Sequence, residues 1–322
     1  MKIFVTGGEG FIGSWIVEKL SNNGHEVSTM DNLDTYGVIS ENKLDQLCRW
    51  RRRNWKKVTR FFGNVSSPES YYLLTPKNAL KAMQESEVVI HLASFPRAKI
   101  VNEDPQQGVN NIVGGTTNML NLCKCTKVKR FVFVSSSMIY GNFKDGTKED
   151  MPASPINVYG QAKLAAEKMT ELFGRVHGLE YVIVRPSGVY GPGDIPDRVL
   201  SKFFDAAMRG KDIVVHDKRN KVDFTYVEDA ADGIISCALG KQAANKIFNI
   251  TAGGATSLGE AAEKIIKLTG SSSKIKDTGQ NSLYPERGTL DISSAVKLLK
   301  YKPKHSFEQG IKKYYEWLQD KI

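Results

Sequence analysis

The chain has 322 residues and a formal net charge of +10 at pH 7, long enough for one large or two intimate domains with a sizeable core. Hydrophobic residues make up 41% and charged residues 25%, the composition of an ordinary soluble protein and not of a disordered one. No apolar run reaches the ~20 residues of a membrane span, and the first strand starts at residue 2 with no leader pattern ahead of it, so the expectation is a cytoplasmic protein.

The first strand, residues 2–6, breaks into Gly7, Gly10 and Gly13, and an amphipathic helix follows over 11–22. A glycine turn before a helix lets backbone approach a pyrophosphate, and the bare N–H groups of the helix start favour its charge. A second strand, 26–30, ends at Asp31, which lies 18 residues past Gly13, about where a carboxylate meets an adenosine ribose. Strand, glycines, helix, strand and acid in this order predict a dinucleotide site. The plainer reading is a glycine-rich turn.

Between Gln46 and Pro68 stand seven basic residues (Arg49, Arg51, Arg52, Arg53, Lys56, Lys57 and Arg60), no acid, and two tryptophans, Trp50 and Trp55. Such a cluster suits nucleic acid. It also suits a solvated helix and loop whose tryptophans pack inward. The second reading is preferred, because the rest of the chain reads as a metabolic enzyme, so no nucleic-acid partner is expected.

Further strands are expected at 58–62, 88–92, 130–135 and 181–184, with helices at 77–85, 105–125 and 159–176. Several of these strands are continuous apolar runs, as in strands buried on both faces. Asp104-Pro105 gives a cap and first turn for the long helix. Right-handed crossovers then give an α/β fold, a Rossmann-type doubly wound parallel sheet with ligands at the strand C-termini. After about residue 185 Gly, Pro and Asp recur. Short strands at 212–215 and 246–251 and helices at 295–299 and 307–319 are expected there. The expected division is a cofactor domain over 1–184 and a smaller α/β substrate domain over 185–322, with some segments returning to the first. Cys48 and Cys237 are isolated, and Cys123 and Cys125 have no second pair nearby, so thiols are expected and no metal site.

Two Tyr-x-x-x-Lys pairs occur, Tyr140/Lys144 and Tyr159/Lys163. The first sits at a strand end with its lysine in a loop. The second opens a helix, where residues i and i+4 share a face. An ammonium beside a phenol stabilises phenolate and makes Tyr159 a usable base. Ser135, Ser136 and Ser137 follow a strand, at the edge where ligands lie, and a hydroxyl there can hold a substrate oxygen. Turn chemistry alone would also place serines there.

With these pieces the chain resembles the extended short-chain dehydrogenase/reductases of the NAD-dependent epimerase/dehydratase group, typified by nucleotide-sugar 4-epimerases. The matching pieces run in order: Thr-Gly-Gly-Glu-Gly-Phe-Ile-Gly, Asp31-Asn32-Leu33, His91-Leu92-Ala93, Ser-Ser-Ser-Met-Ile-Tyr-Gly, the Tyr159/Lys163 helix, Arg185-Pro186 with Val-Tyr-Gly-Pro, and Asp223 through Asp229. The resemblance implies NAD as cofactor. Gly7, Gly10 and Gly13 would hold the pyrophosphate, with Phe11 and Ile12 beside them. Asp31 and Asn32 would take the ribose, Asn64 and Val65 lie near adenine, Leu92 and Ala93 flank the cofactor, Pro186 lies against it, and Lys163 bonds the nicotinamide ribose. Ser136, Tyr159 and Lys163 would be catalytic.

The departures from the group also carry information. Ser137 and Met138 stand where some dehydratases carry Asp-Glu, which argues against dehydration. Gly188 and Val222 stand where nucleotide-sugar members usually have Asn and Arg. Arg287, Arg219 or Lys221 could supply the missing charge, with Arg287 the candidate diphosphate contact. The resemblance implies a C4 epimerase of a nucleotide sugar, working through a transient 4-keto sugar and acting as a homodimer. The alternatives are a sugar or alcohol dehydrogenase/ketoreductase with the same core, and a non-catalytic dinucleotide-binding protein.

Overall fold

The computed structural model describes residues 1–66, 77–124, 126–279 and 284–320. Its centre is β1 (Lys2–Thr6), where Ile3 and Val5 enter one hydrophobic core and Phe4 enters another on the opposite face. That alternation puts helices on both faces of the sheet. In chain order there follow α1 (Phe11–Asn22), β2 (Glu26–Asp31), α2 (Glu41–Arg51), β3 (Thr59–Phe62), α3 (Lys77–Gln84), β4 (Val88–His91) and α4 (Ala98–Glu103). Next come α5 (Pro105–Val109), α6 (Gly115–Cys123), β5 (Arg130–Val134), α7 (Val158–His177) and β6 (Glu180–Pro186). The second part holds α8 (Val199–Met208), β7 (Ile213–Val215), β8 (Lys221–Val222), α9 (Val227–Leu239), β9 (Lys246–Ile250), β10 (Thr256–Ser257), α10 (Leu258–Thr269), β11 (Ile275–Asp277), α11 (Ser293–Leu299) and α12 (Phe307–Gln319).

Seven parallel strands form the sheet in the order β3-β2-β1-β4-β5-β6-β9. The strand order reverses between β1 and β4, which opens a crevice at their C-terminal ends. The last strand, β9, comes from the second part of the chain, and α9 packs beside α1 on the same sheet face. A third core, with Phe203, Phe204, Ile213, Phe224, Ile265 and Tyr314, is built from α8, α10, α12 and two small two-stranded sheets.

The structure adds elements that the sequence pattern did not announce. Helix α2 buries only Leu47, Cys48 and Arg51, so it has no apolar stripe to read. Helix α4 is six residues long with Val101 alone buried. The helix expected over 105–125 is a capped α5, a π-helical turn at Asn110–Gly114, and α6 ending at Cys123. Cys48, Cys123 and Cys237 are buried free thiols, and Cys125 lies outside the described residues. Among the described residues no helix is long and apolar enough to cross a membrane.

Candidate active site

A cleft with an empty volume of about 1440 Å³, counted out to solvent, opens over the C-terminal ends of the central strands. Its walls include Gly7, Gly10, Phe11, Ile12, Gly13, Asp31, Asn32, Asn64, Val65, Leu92, Ala93 and Pro186, together with Ser136, Tyr159 and Lys163.

The glycine loop is as tight as its spacing suggested. Gly7 has φ +72°, and a Cβ there would come within 2.8 Å of the Ala93 backbone nitrogen. A Cβ on Gly13 would collide with the Gly7 carbonyl. No side chain caps the start of α1, and its first turn holds no acid, so its N–H groups and dipole are left for an anion. Asp31 is held by the N–H groups of Leu33 at 2.9 Å and Glu9 at 3.1 Å. Burial raises its pKa, and these two bonds oppose the rise. N–H donors for a diphosphate and an oriented carboxylate acceptor for ribose hydroxyls are the groups a dinucleotide requires, so the residues fit NAD.

The reacting end is built by α7 and the segment after β5. Asn157 caps α7 by accepting from the Gly160 N–H at 2.9 Å. A fully buried ion pair, Arg185 Nη2 to Glu167 Oε2 at 2.7 Å and Nε to Oε1 at 3.1 Å, pins this helix to β6. Tyr159 is 9% exposed. Burial raises its phenol pKa, while a hydrogen bond with Ser136 and the charge of Arg198 favour the phenolate.

Lys163 is fixed by partners outside its own helix. Its Nζ donates to the Val134 carbonyl at 2.9 Å and to Ser94 Oγ at 3.0 Å, and lies 6.0 Å from the centre of the Tyr159 ring. Burial pulls its own pKa down to about 7. A second cation, Arg198, which the motif reading did not name, also favours the phenolate. Tyr140 is also resolved: its hydroxyl donates to Asn249 Oδ1 at 2.8 Å and accepts from Arg185 Nη1 at 2.8 Å, away from the cleft lining. Burial pushes its pKa up to about 12.

The hydroxyls divide similarly. Ser135 and Ser136 line the cleft and Ser137 does not. Ser136 Oγ accepts from the Met138 N–H at 3.2 Å, whereas the buried hydroxyls of Ser135 and Ser187 have no partner. Asn111, in the π-helical turn, lines the cleft and accepts from the Phe95 N–H at 2.8 Å. Single-turn π bulges of this kind recur at functional sites. Only a helix count that failed to close on 3.6 residues could have signalled it.

Arg287 does not line the cleft. Its loop is tied to the turn after Tyr140, where the Phe143 N–H donates to the Glu286 carbonyl at 3.0 Å and Gly288 packs on Lys144 and Asp145. Its Nε is buried without a partner, and burial lowers its pKa to about 10. Arg198 lines the cleft instead, paired through Nε with the buried Asp194 at 3.2 Å. Beside them Arg97 donates through Nη1 to Asp197 at 2.9 Å, while its Nε and Nη2 are buried without partners. Gly188 and Val222 touch: a Cβ at Gly188, whose φ is +48°, would lie 2.6 Å from Val222 Cγ1. The two departures noted in the sequence are thus one coupled feature.

Part of the basic cluster turns inward. Arg51 donates to the Glu9 carbonyl at 2.8 Å and to the Gly193 carbonyl at 2.8 and 3.0 Å. Arg52 and Arg60 pair with the Glu9 carboxylate, and Arg53 lies 3.6 Å over the Trp50 ring. Trp50 packs edge-on against Trp15 and Trp317. The tryptophans thus pack inward on a helix and loop, while Arg49, Lys56 and Lys57 stay exposed.

A family model for the NAD dependent epimerase/dehydratase family matches residues 3–251. The chain belongs to this family. It is 32% identical to a UDP-glucuronate 4-epimerase of Thermodesulfobacterium geofontis, over 99% of this chain and 96% of that protein. It is 31% identical to a putative UDP-glucose 4-epimerase of Methanocaldococcus jannaschii, over 99% and 98%. Among solved structures, the UDP-glucuronic acid 4-epimerase of Bacillus cereus in complex with UDP-glucuronic acid and NAD superposes with a TM-score of 0.90 at 25% identity, covering both chains fully. The UDP-glucose 4-epimerase of Thermotoga maritima superposes at 0.85 with 27% identity, covering 100% of this chain and 99% of that one.

Proposed function

We propose that the protein is an NAD-dependent 4-epimerase of a nucleotide-activated sugar. The observation that carries this reading is the meeting, in one cleft, of the glycine loop and Asp31 with Ser136, Tyr159 and Lys163. The names of the relatives support the sugar class, UDP-glucuronate or UDP-glucose. Gly7, Gly10 and Gly13 hold the NAD pyrophosphate, Asp31 and Asn32 its ribose, and Asn64, Val65, Leu92, Ala93 and Pro186 flank it. NAD, when bound, supplies the acceptor and donor of one hydride. Tyr159 takes the proton of the sugar 4-hydroxyl and returns it after the 4-keto sugar has turned over. Ser136 holds the oxygen, and Lys163 fixes the floor between Ser94 and Val134. Arg198, lining the same cleft, favours the phenolate and an anionic substrate.

The test is to supply NAD and a UDP-sugar and follow the C4 epimers by chromatography and the reduced cofactor by absorbance. Epimer formation without stoichiometric NADH supports the reading. NADH accumulating with product would replace it with a dehydrogenase. We further propose a homodimer through α6 and α7, the latter presenting Leu172 and Val176 to solvent, to be checked by light scattering. A cytoplasmic location accords with the buried free thiols.

A further inference from the structure

Glu9 lies inside the glycine loop, yet its side chain is only 5% exposed. Its carboxylate accepts from Arg52 Nη1 at 2.9 Å through Oε2 and from Arg60 Nε through Oε1. Its backbone N–H donates to Asp31 Oδ2 at 3.1 Å, so the carboxylate is carried by the residue that touches the expected ribose ligand. Arg60 reaches it from β3, whose backbone runs beside β2 in register Thr29 to Arg60 and Asp31 to Phe62. Arg51, the third guanidinium at this end of the cleft, is committed to the backbone carbonyls of Glu9 and Gly193. Glu9, Asp31 and Arg51 line this end of the cleft, and Arg52 and Arg60 stand just outside its lining, both held by the Glu9 carboxylate.

We propose that Glu9 is a second residue selecting NAD over NADP, acting with Asp31. Asp31 opposes a 2′-phosphate by its own charge. Glu9 removes the cations that would compensate for it: guanidiniums bind phosphate oxygens through charge-assisted, often bidentate bonds, and a guanidinium already held by a buried carboxylate has no such bond to give. Both arginines reach the solvent side, with 21% and 45% of their side chains exposed, so they can turn to a ligand once released.

The experiment is calorimetry of NAD and NADP with the full chain and with Glu9→Gln, which keeps the shape and removes the charge. The expected result is NADP binding tightened roughly tenfold with NAD changed less than about threefold. Arg52→Ala/Arg60→Ala added to Glu9→Gln should return NADP to its starting affinity. A role confined to clamping α2 and β3 onto the loop would weaken both cofactors together, and that outcome, or an unmoved NADP affinity in a folded variant, overturns the proposal. If Glu9→Gln does not fold, Arg60→Ala in the otherwise unchanged chain decides. NADP affinity should stay within about twofold, and a tenfold loss would mean Arg60 already receives the 2′-phosphate. The proposal rests on the glycine loop being the NAD site. Failure of the unchanged chain to bind either cofactor would count against that assignment and not against Glu9.

Discussion

Removing one oxygen from each of two tyrosines should separate chemistry from stability. Tyr159→Phe deletes the phenol that faces the cleft next to Ser136 and Arg198. Loss of a positioned general base typically costs about 10²–10⁴ in rate, or about 3–5 kcal/mol of barrier. Few packing contacts change, so the thermal midpoint and NAD affinity should hold. Tyr140→Phe deletes a hydroxyl that bridges Asn249 Oδ1 and Arg185 Nη1, each at 2.8 Å. Arg185 keeps Glu167 and the Glu149 carbonyl, but Asn249 Oδ1 loses its donor. A buried acceptor left unmatched costs about 1–3 kcal/mol. Tyr140→Phe should therefore unfold at lower urea with kcat nearly unchanged. The assays are epimer formation at saturating substrate, calorimetry of NAD, and urea denaturation. Equal activity in the two variants, or a Tyr159→Phe enzyme within about threefold of the parent, would refute the assignment of the base.

Three further outcomes follow from the same geometry. Gly188→Ala should cost about 1–3 kcal/mol, because its Cβ meets Val222 Cγ1 at a positive φ; in a double-mutant cycle by urea, Val222→Ala should recover part of that loss. Burial pushes the His91 pKa down to about 3, against about 6.5 when unfolded. The unfolded state then binds the extra proton between those values, so stability is complete above pH 6.5 and falls by up to about 1.4 kcal/mol per unit as pH drops toward 3. A His91→Gln variant should show a shallower acid loss in urea midpoints. Arg198→Ala should lower kcat/KM for a UDP-sugar about ten- to a hundredfold, with its pH profile displaced to higher pH because the charge favouring phenolate is gone; an unmoved profile would remove Arg198 from the site.

What the sequence determined by itself lies where function depends on local chemistry. The Gly7, Gly10, Gly13 turn, the Asp31 at the end of β2 and the Tyr159 on the first turn of α7 each follow from a short stretch of chain: backbone that must approach closely, a strand that ends, a helix that opens. Apolar runs on both sides of those points set the parallel strands within a residue or two. What only the tertiary structure decided are pairings between distant segments. Glu9 takes Arg52 and Arg60 from 43 and 51 residues away, and Gly188 meets Val222 across a gap that no periodicity encodes. Lys163 has the right spacing to lie near Tyr159, but only the fold shows that the carbonyl of Val134 and the hydroxyl of Ser94 fix its ammonium and that Arg198 from another loop adds a charge favouring the phenolate. The basic run around Trp50 is ambiguous in one dimension. Part of it packs inward only because Trp15, Trp317 and the Glu9 carboxylate converge on it. Electrostatic partners act through space and desolvation, and both are set by which elements the sheet order brings together.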